Sequence, residues 1–332
     1  MTAVAVLGAG GWGTTLADLL ARKGLPVRLW AFEPEVVEAI NLRQENPIFL
    51  PGCSLSTGIR ACSDPVQTVE GADVVVSVSP SHVVRAVVAR VAGRLLDGTL
   101  VVSATKGLEP DSLKLMSEVL AETLPTARVA ALSGPSFALE VFQSQPTAVV
   151  AAALDSRTAE DAQNVFATPR FRVYSHSDVV GVELAGALKN VIAIAAGILE
   201  GLGLGNNPRA ALITRGLAEI TRLGVARGAD PLTFAGLAGM GDLILTCNGA
   251  LSRNRSLGVA LAKGMTLEEY SRAHRSVAEG VNTARGAVAL ARKAGVELPI
   301  CEQVHSILFE AKPPSQAVGD LMERTLKSEQ WR

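Results

Sequence analysis

The sequence predicts an α/β protein, with a doubly wound, mainly parallel sheet followed by an all-helical C-terminal domain. Three observations predict it. Short β-branched runs alternate with helical patterns over about the first 175 residues; the texture then turns wholly helical; and the composition is 48% hydrophobic but only 4% aromatic. The surplus is Ala, Val and Leu, which suits buried Val-rich strands and packed Ala-rich helices. At roughly 150 residues per domain, 332 residues make about two domains.

Strands are expected at Ala3–Leu7, Val27–Trp30, Val74–Val78, Thr99–Ser103, Val129–Leu132 and Thr147–Ala151. Helices are expected between them at Thr14–Arg22, Glu35–Arg43, Ser81–Val91 and Ser112–Leu124. Runs apolar on both faces and separated by helices imply a parallel sheet covered on each side. From Val179 one long helix reaches Leu199, followed by helical patterns at Pro208–Arg222, Pro231–Ala238, Ser256–Lys263, Thr266–Ser271, Thr283–Lys293 and Ile300–Glu310. The expected division is a dinucleotide-binding domain over 1–178 and a helical substrate domain over 179–332.

Thirty-one basic residues against 32 acidic ones give a net charge of −1, which argues against nucleic acid as partner. Mean hydropathy is +0.29, yet no uncharged run reaches the roughly 18 residues of a spanning helix. The four cysteines lack CxxC spacing and read as free thiols of a reducing compartment. No basic stretch with a long apolar run opens the chain, so no signal peptide is expected and the cytoplasm is the expected location.

Gly8-Ala9-Gly10-Gly11-Trp12-Gly13 fits GxGxxG between the first strand and the first helix. Gly8 permits the tight turn, Gly10 lets the backbone approach a pyrophosphate, and Gly13 lets helix and strand pack closely. The fold is therefore expected to be Rossmann-type. Glu33 lies 20 positions after Gly13. Its carboxylate either accepts the adenosine ribose 2′-OH and repels a 2′-phosphate, or merely caps the next helix. The first reading favours NAD(H) over NADP(H).

Lys189 and Asn190 interrupt a helix almost devoid of charge, with Ala185, Gly186, Ile192 and Ala193 one turn away. A desolvated lysine there exchanges protons with an alcohol or carbonyl oxygen; the alternative is a lysine snorkelling from the helix edge. Lys106 follows the strand ending at Ser103, and Ser133-Gly134-Pro135-Ser136-Phe137-Ala138 follows another. Both sit where open α/β sheets bind ligands. Gly239-Met240-Gly241-Asp242 and Ser252-Arg253-Asn254-Arg255 bring a carboxylate near hydroxyl, guanidinium and amide donors suited to a phosphate. Each of these is otherwise a solvated loop. The four histidines are scattered and no metal is expected; His82 either helps line the cofactor site or does nothing.

Together these stretches resemble the bacterial NAD(P)-dependent glycerol-3-phosphate dehydrogenases. The resemblance also rests on Phe49-Leu50-Pro51, Ala104–Glu109, Leu188–Ile194, Gly201–Gly216, Leu245-Thr246-Cys247 and Val277-Ala278-Glu279-Gly280. It implies interconversion of sn-glycerol 3-phosphate and dihydroxyacetone phosphate, supplying phospholipid backbones. Lys189 would be the proton-transfer residue. Lys106, Gly134, Ser136, Lys189, Asp242, Ser252, Arg253 and Asn254 would bind substrate. Gly11, Trp12, Phe32, Phe49, Lys106, Ala138, Arg253, Val277 and Glu279 would contact cofactor, beside Gly8, Gly10, Gly13 and Glu33 of the physical reading. Phe32 replaces a residue often basic or polar in such enzymes and cannot pair with a 2′-phosphate. Ser136 stands where Thr is frequent and keeps the hydroxyl. Rival readings are a dehydrogenase of a β-hydroxy acid or ketopantoate, and a non-catalytic dinucleotide sensor. Apolar helices in the second domain are compatible with a homodimer.

Overall fold

The computed structural model describes residues 2–274, 278–326 and 328–329. Ten strands occur among them: β1 Val4–Leu7, β2 Val27–Trp30, β3 Glu45–Asn46, β4 Leu50–Ser54, β5 Ile59–Cys62, β6 Val74–Ser77, β7 Leu100–Ser103, β8 Arg128–Ser133, β9 Thr147–Ala152 and β10 Phe171–His176. Eight form one sheet in the order β10-β9-β8-β7-β6-β1-β2-β5. Every pairing in it is parallel except β8 with β9. The expected mainly parallel, doubly wound Rossmann-type sheet is therefore present. It is larger than expected by β5 and β10, the two edge strands, while β3 and β4 pair apart from it.

Three central strands, VAVL, VVVS and LVVS, are buried along their whole length. One face of the sheet packs Leu16, Leu20, Val76 and Val102; the other packs Leu7, Val75, Val101 and Leu120. Apolar cover on both faces is what the parallel arrangement requires.

Several helix boundaries differ from expectation for local reasons. The segment expected over Ser112–Leu124 becomes helical only at Met116, because Leu113 takes φ 60° and Leu108 bridges to Leu115. Ser81–Val83 is a 3-10 turn leading into the helix Val84–Ala89. The expected helix Pro231–Ala238 divides into a 3-10 turn, Pro231–Ala235, and a π turn, Leu237–Gly241, which runs into the helix Asp242–Asn248. Asp242 thus opens a helix and is not part of a solvated loop.

From Val179 onward all regular elements among the described residues are helical. Their hub is the helix Val179–Gly201, buried continuously from Gly181 to Leu199. It is long and apolar enough to cross a membrane, and 94% of its most apolar window is buried inside the protein. Asp178 starts it by accepting from Gly181 N at 2.8 Å, and the same carboxylate accepts from Thr233 Oγ1 at 2.6 Å. The helix Arg253–Ala262 lies against it backbone to backbone. A Cβ on Gly258 would stand 2.0 Å from the Ile194 carbonyl oxygen, and one on Gly197 would stand 2.0 Å from that of Arg255. Glycine is required at both places.

Candidate active site

The glycine turn behaves as its sequence implies. Gly8 has φ 129°, and a Cβ there would meet Ser79 N at 2.9 Å. A Cβ on Gly13 would meet the Gly8 carbonyl oxygen at 1.9 Å, and one on Gly11 the Phe49 carbonyl oxygen at 2.7 Å. At Gly10 nothing lies within 4 Å of that position, and no side chain caps the helix Gly11–Arg22 that begins there. The first-turn N–H groups thus face open space bordered by glycines, a cradle that fits a dinucleotide pyrophosphate. Trp12 packs beside Phe171 with ring centroids 6.5 Å apart, and its indole N–H is buried without a partner. The fully buried Asn46, which the sequence reading missed, holds the turn. Its amide donates to the Ala9 carbonyl and Thr14 Oγ1, both at 2.8 Å, and its oxygen accepts from Phe49 N at 3.1 Å.

Phe32 is 80% exposed at the end of β2. Glu33 is the N-cap residue of the helix Pro34–Arg43, yet its side chain makes no capping hydrogen bond. The carboxylate is thus not used in the capping role, which favours the ribose reading.

From this turn a chain of contacts leads to the lysines. Ser79 Oγ donates to the Leu7 carbonyl at 2.9 Å, and Thr105 Oγ1 donates to the Ser79 carbonyl at 2.7 Å. The next residue, Lys106, donates through Nζ to Asp242 Oδ2 at 2.7 Å and to the Gly134 carbonyl at 2.8 Å. Ser136 Oγ donates to the same carbonyl at 3.0 Å. Gly134 has φ 140°, and a Cβ there would press on Val149. Gly186 leaves room on the central helix for Ser133, whose Oγ lies 2.6 Å from its Cβ position, and the Lys106 stem packs alongside at 3.7 Å.

Lys189 is 5% exposed and Asp242 1%. Lys189 Nζ donates to Asp242 Oδ1 at 2.5 Å and to Thr246 Oγ1 at 2.7 Å. One carboxylate therefore bridges two ammonium groups, leaving a net positive charge in a largely dry pocket. Burial pushes the Lys189 pKa down to about 8; Asp242 opposes the fall and Lys106 adds to it. The snorkelling alternative is excluded by this burial. Thr246, four residues after Asp242 on one helix face, was quoted in the sequence but not recognised as a partner.

Asn190, beside Lys189, accepts at Oδ1 from Asn254 Nδ2 at 2.9 Å, and Asn254 Oδ1 accepts from Gly280 N at 2.9 Å. These contacts fix both amides and tie Asn254 to the residue next to Lys189. Ser252 caps the helix Arg253–Ala262 by accepting from Arg255 N at 3.2 Å. Arg253 keeps an exposed side chain. Glu279 reaches across to the sheet half, accepting from Ser81 Oγ at 2.8 Å and Ser81 N at 3.3 Å. Its oxygen lies 3.1 Å from the Cβ position of Gly107, next to Lys106. Ala138 accepts from Thr15 Oγ1 at 3.1 Å beside the glycine turn. Val277 lies outside the described residues. Among the described residues no group of three or more His, Cys, Asp and Glu could hold a metal.

Glu183, which has no partner on its own helix, bonds across to Ser117 N at 3.1 Å and to Ser117 Oγ. Burial raises it to about 7.

Residues 3–159 match the NAD-dependent glycerol-3-phosphate dehydrogenase N-terminus family, and residues 178–319 match the corresponding C-terminus family. A Geobacter sulfurreducens protein named glycerol-3-phosphate dehydrogenase [NAD(P)+] is 56% identical over 331 residues, 99% of each chain. The crystal structure of glycerol-3-phosphate dehydrogenase from Coxiella burnetii has a TM-score of 0.94 at 42% identity, covering 97% of this chain and 99% of that one. The Saccharomyces cerevisiae glycerol-3-phosphate dehydrogenase structure has a TM-score of 0.81 at 30% identity, covering 97% and 99%. Two matched halves and a relative 56% identical over 99% of each chain lead to one conclusion: the chain belongs to the NAD-dependent glycerol-3-phosphate dehydrogenase family.

Proposed function

We propose that this protein interconverts dihydroxyacetone phosphate and sn-glycerol 3-phosphate with NAD(P)H, and that Lys189 transfers the proton. The observation that carries the assignment is the buried Lys189–Asp242–Lys106 cluster, with Lys189 lowered to about 8. A pKa near the working pH lets one group donate in reduction and accept in oxidation. A bound nicotinamide dinucleotide supplies or takes the hydride. The Gly8–Gly13 turn and the free N–H groups of the helix behind it hold the pyrophosphate, with Phe49, Ala138 and Glu279 bordering the site and Glu33 placed for the ribose.

In reduction the ketone oxygen gains negative charge as hydride arrives at carbon. The Lys189 ammonium donates its proton to that oxygen, while Asp242 keeps the nitrogen oriented and Thr246 holds a second N–H. Lys106, Gly134 and Ser136 from the sheet half, and Ser252, Arg253 and Asn254 from the helical half, grip the phosphate and hydroxyl. Holding both ends converts binding into orientation of the carbonyl. NAD(H) is preferred over NADP(H), because Glu33 is free to accept the ribose and Phe32 offers a 2′-phosphate no partner.

The division of labour at residue 178 is part of the same reading, supported by the sheet ending at His176 and the helix starting at Val179. We also infer a cytoplasmic protein, supported by four free thiols, and a homodimer through the helical half, supported by exposed Val225, Ile244 and Leu251. Sedimentation velocity checks the dimer.

The test of function mixes protein, NADH and dihydroxyacetone phosphate and follows nicotinamide absorbance. Decay with this ketone, and not with control ketoacids, is expected. Turnover of ketopantoate alone supports the first rival, and turnover of no ketone supports the sensor.

A further inference from the structure

In the function proposed above, Ser252 and the first turn of the helix Arg253–Ala262, with Arg253 and Asn254, meet the substrate phosphate. The contact of this helix with the central helix is made by glycines and by the hydrogen bond from Asn254 to Asn190. Gly197 and Gly258 bring the two backbones together, and Gly201 meets Ala262. The glycines set the separation of the helices, and the Asn254–Asn190 hydrogen bond pins them at one point, near the start of Arg253–Ala262.

The second point of the lock is an ion pair. Sequence spacing groups Arg255 with Arg253 as a phosphate donor, but the structure parts them. Arg255 Nε donates to Glu200 Oε2 at 2.8 Å, and its terminal nitrogen donates to Glu200 Oε1 at 2.6 Å. Two parallel charge-assisted bonds constrain angle as well as distance. Glu200 belongs to the helix that carries Lys189. A third element joins the pair. Arg209, on the helix Asn206–Ala226, reaches Glu200 Oε2 at 3.4 Å, and its buried Nε has no partner among the described residues.

We propose that Glu200 and Arg255 are positioning residues for recognition of the substrate phosphate. They fix the rotation of the Arg253–Ala262 helix relative to Lys189, so that Ser252, Arg253 and Asn254 meet the phosphate while the carbonyl meets Lys189. This rests on the functional reading above. Electrostatic attraction is the competing role, because two arginines on one glutamate leave a net positive charge. The two roles differ in sign for Glu200→Gln. That variant raises the local positive charge, so attraction lowers KM for dihydroxyacetone phosphate. Loss of the lock raises it.

Steady-state kinetics of Glu200→Gln, Arg255→Lys and the exchanged pair Glu200→Arg/Arg255→Glu tests the proposal, with thermal unfolding and NADH binding confirming folded protein. Glu200→Gln is expected to raise KM about tenfold with kcat changed less than about threefold, since misplacement weakens orientation before chemistry. Arg255→Lys, which keeps the charge but loses the two-point geometry, is expected to fall between. The exchanged pair should return KM toward the parent. An unchanged or lower KM in Glu200→Gln, or an exchanged pair no better than Glu200→Gln, overturns the proposal. A parent protein that fails to oxidise NADH with dihydroxyacetone phosphate overturns the functional reading instead.

Discussion

Asp242→Asn separates the two jobs of the bridging carboxylate. Asp242 accepts from Lys189 at 2.5 Å and from Lys106 at 2.7 Å. At about 4 Å between charge centres and an effective dielectric of about 20, a unit pair is worth about 4 kcal/mol. At 1.36 kcal/mol per pKa unit that bounds the loss at about three units for Lys189. The amide oxygen still accepts one hydrogen bond and water screens the new cation, so a fall of about 1.5 units is expected. Lys189 would then move from about 8 to about 6.5. Reduction needs the protonated lysine. At pH 7.5 the variant keeps about one-eighth of the parent's protonated fraction, and at pH 6 about three-quarters. The ratio of variant to parent kcat for reduction should therefore rise about sixfold between those pH values. Any loss of hydroxyl contacts to Asp242 multiplies all pH values alike and leaves this ratio untouched. Initial rates at saturating NADH and dihydroxyacetone phosphate give the profile. A ratio flat with pH, or one that falls on acidification, refutes the assignment of Lys189 as the titrating proton donor.

Three further outcomes follow from the same geometry. Lys189→Ala should lower kcat by about 10²- to 10⁴-fold while leaving NADH affinity, read by quenching of protein fluorescence, within about twofold; near-normal turnover defeats the assignment. Glu33→Gln should raise kcat/KM for NADP about tenfold by removing repulsion of the 2′-phosphate, and a parent enzyme that already prefers NADP sinks the reading of Glu33. Glu183 and Glu219 are raised by burial from 4.5 to about 7, so each favours the folded state fully below about pH 4.5 and loses that contribution as pH rises through 7. Urea titrations of Glu183→Gln should accordingly show the variant gaining on the parent by up to about 3 kcal/mol from pH 4.5 to pH 8, whereas a constant difference would show that the carboxyl does not titrate in that window.

What could be read from the chain, and what could not, follows from the range over which each signal acts. Central strands announce themselves because burial on both faces demands continuous Val and Leu. The edge strand β5, Ile-Arg-Ala-Cys, is exposed at Arg60, and β10 is exposed at Arg172, Tyr174 and Ser175, so neither carries that run. The glycine turn was legible because its steric demands are local: Gly8 and Gly13 meet each other within one turn. Lys189 was conspicuous as a charge in an apolar helix, but its partner lies 53 residues away and the sequence offers no rule that selects Asp242. Asn46 was silent for the same reason, joining Thr14 from 32 positions off.

Arg255 shows the limit most clearly. Two positions along a helix turn the side chain by about 200°, so adjacency to Arg253 in sequence is close to opposition in space. The chain prints Ser-Arg-Asn-Arg as one basic motif, and folding sends its two guanidinium groups different ways: one left exposed, the other held on Glu200. A motif of like charges therefore states how much charge is present and leaves its direction to helix rotation. In the reading proposed above, the residue that meets no ligand sets that rotation for the residue that does.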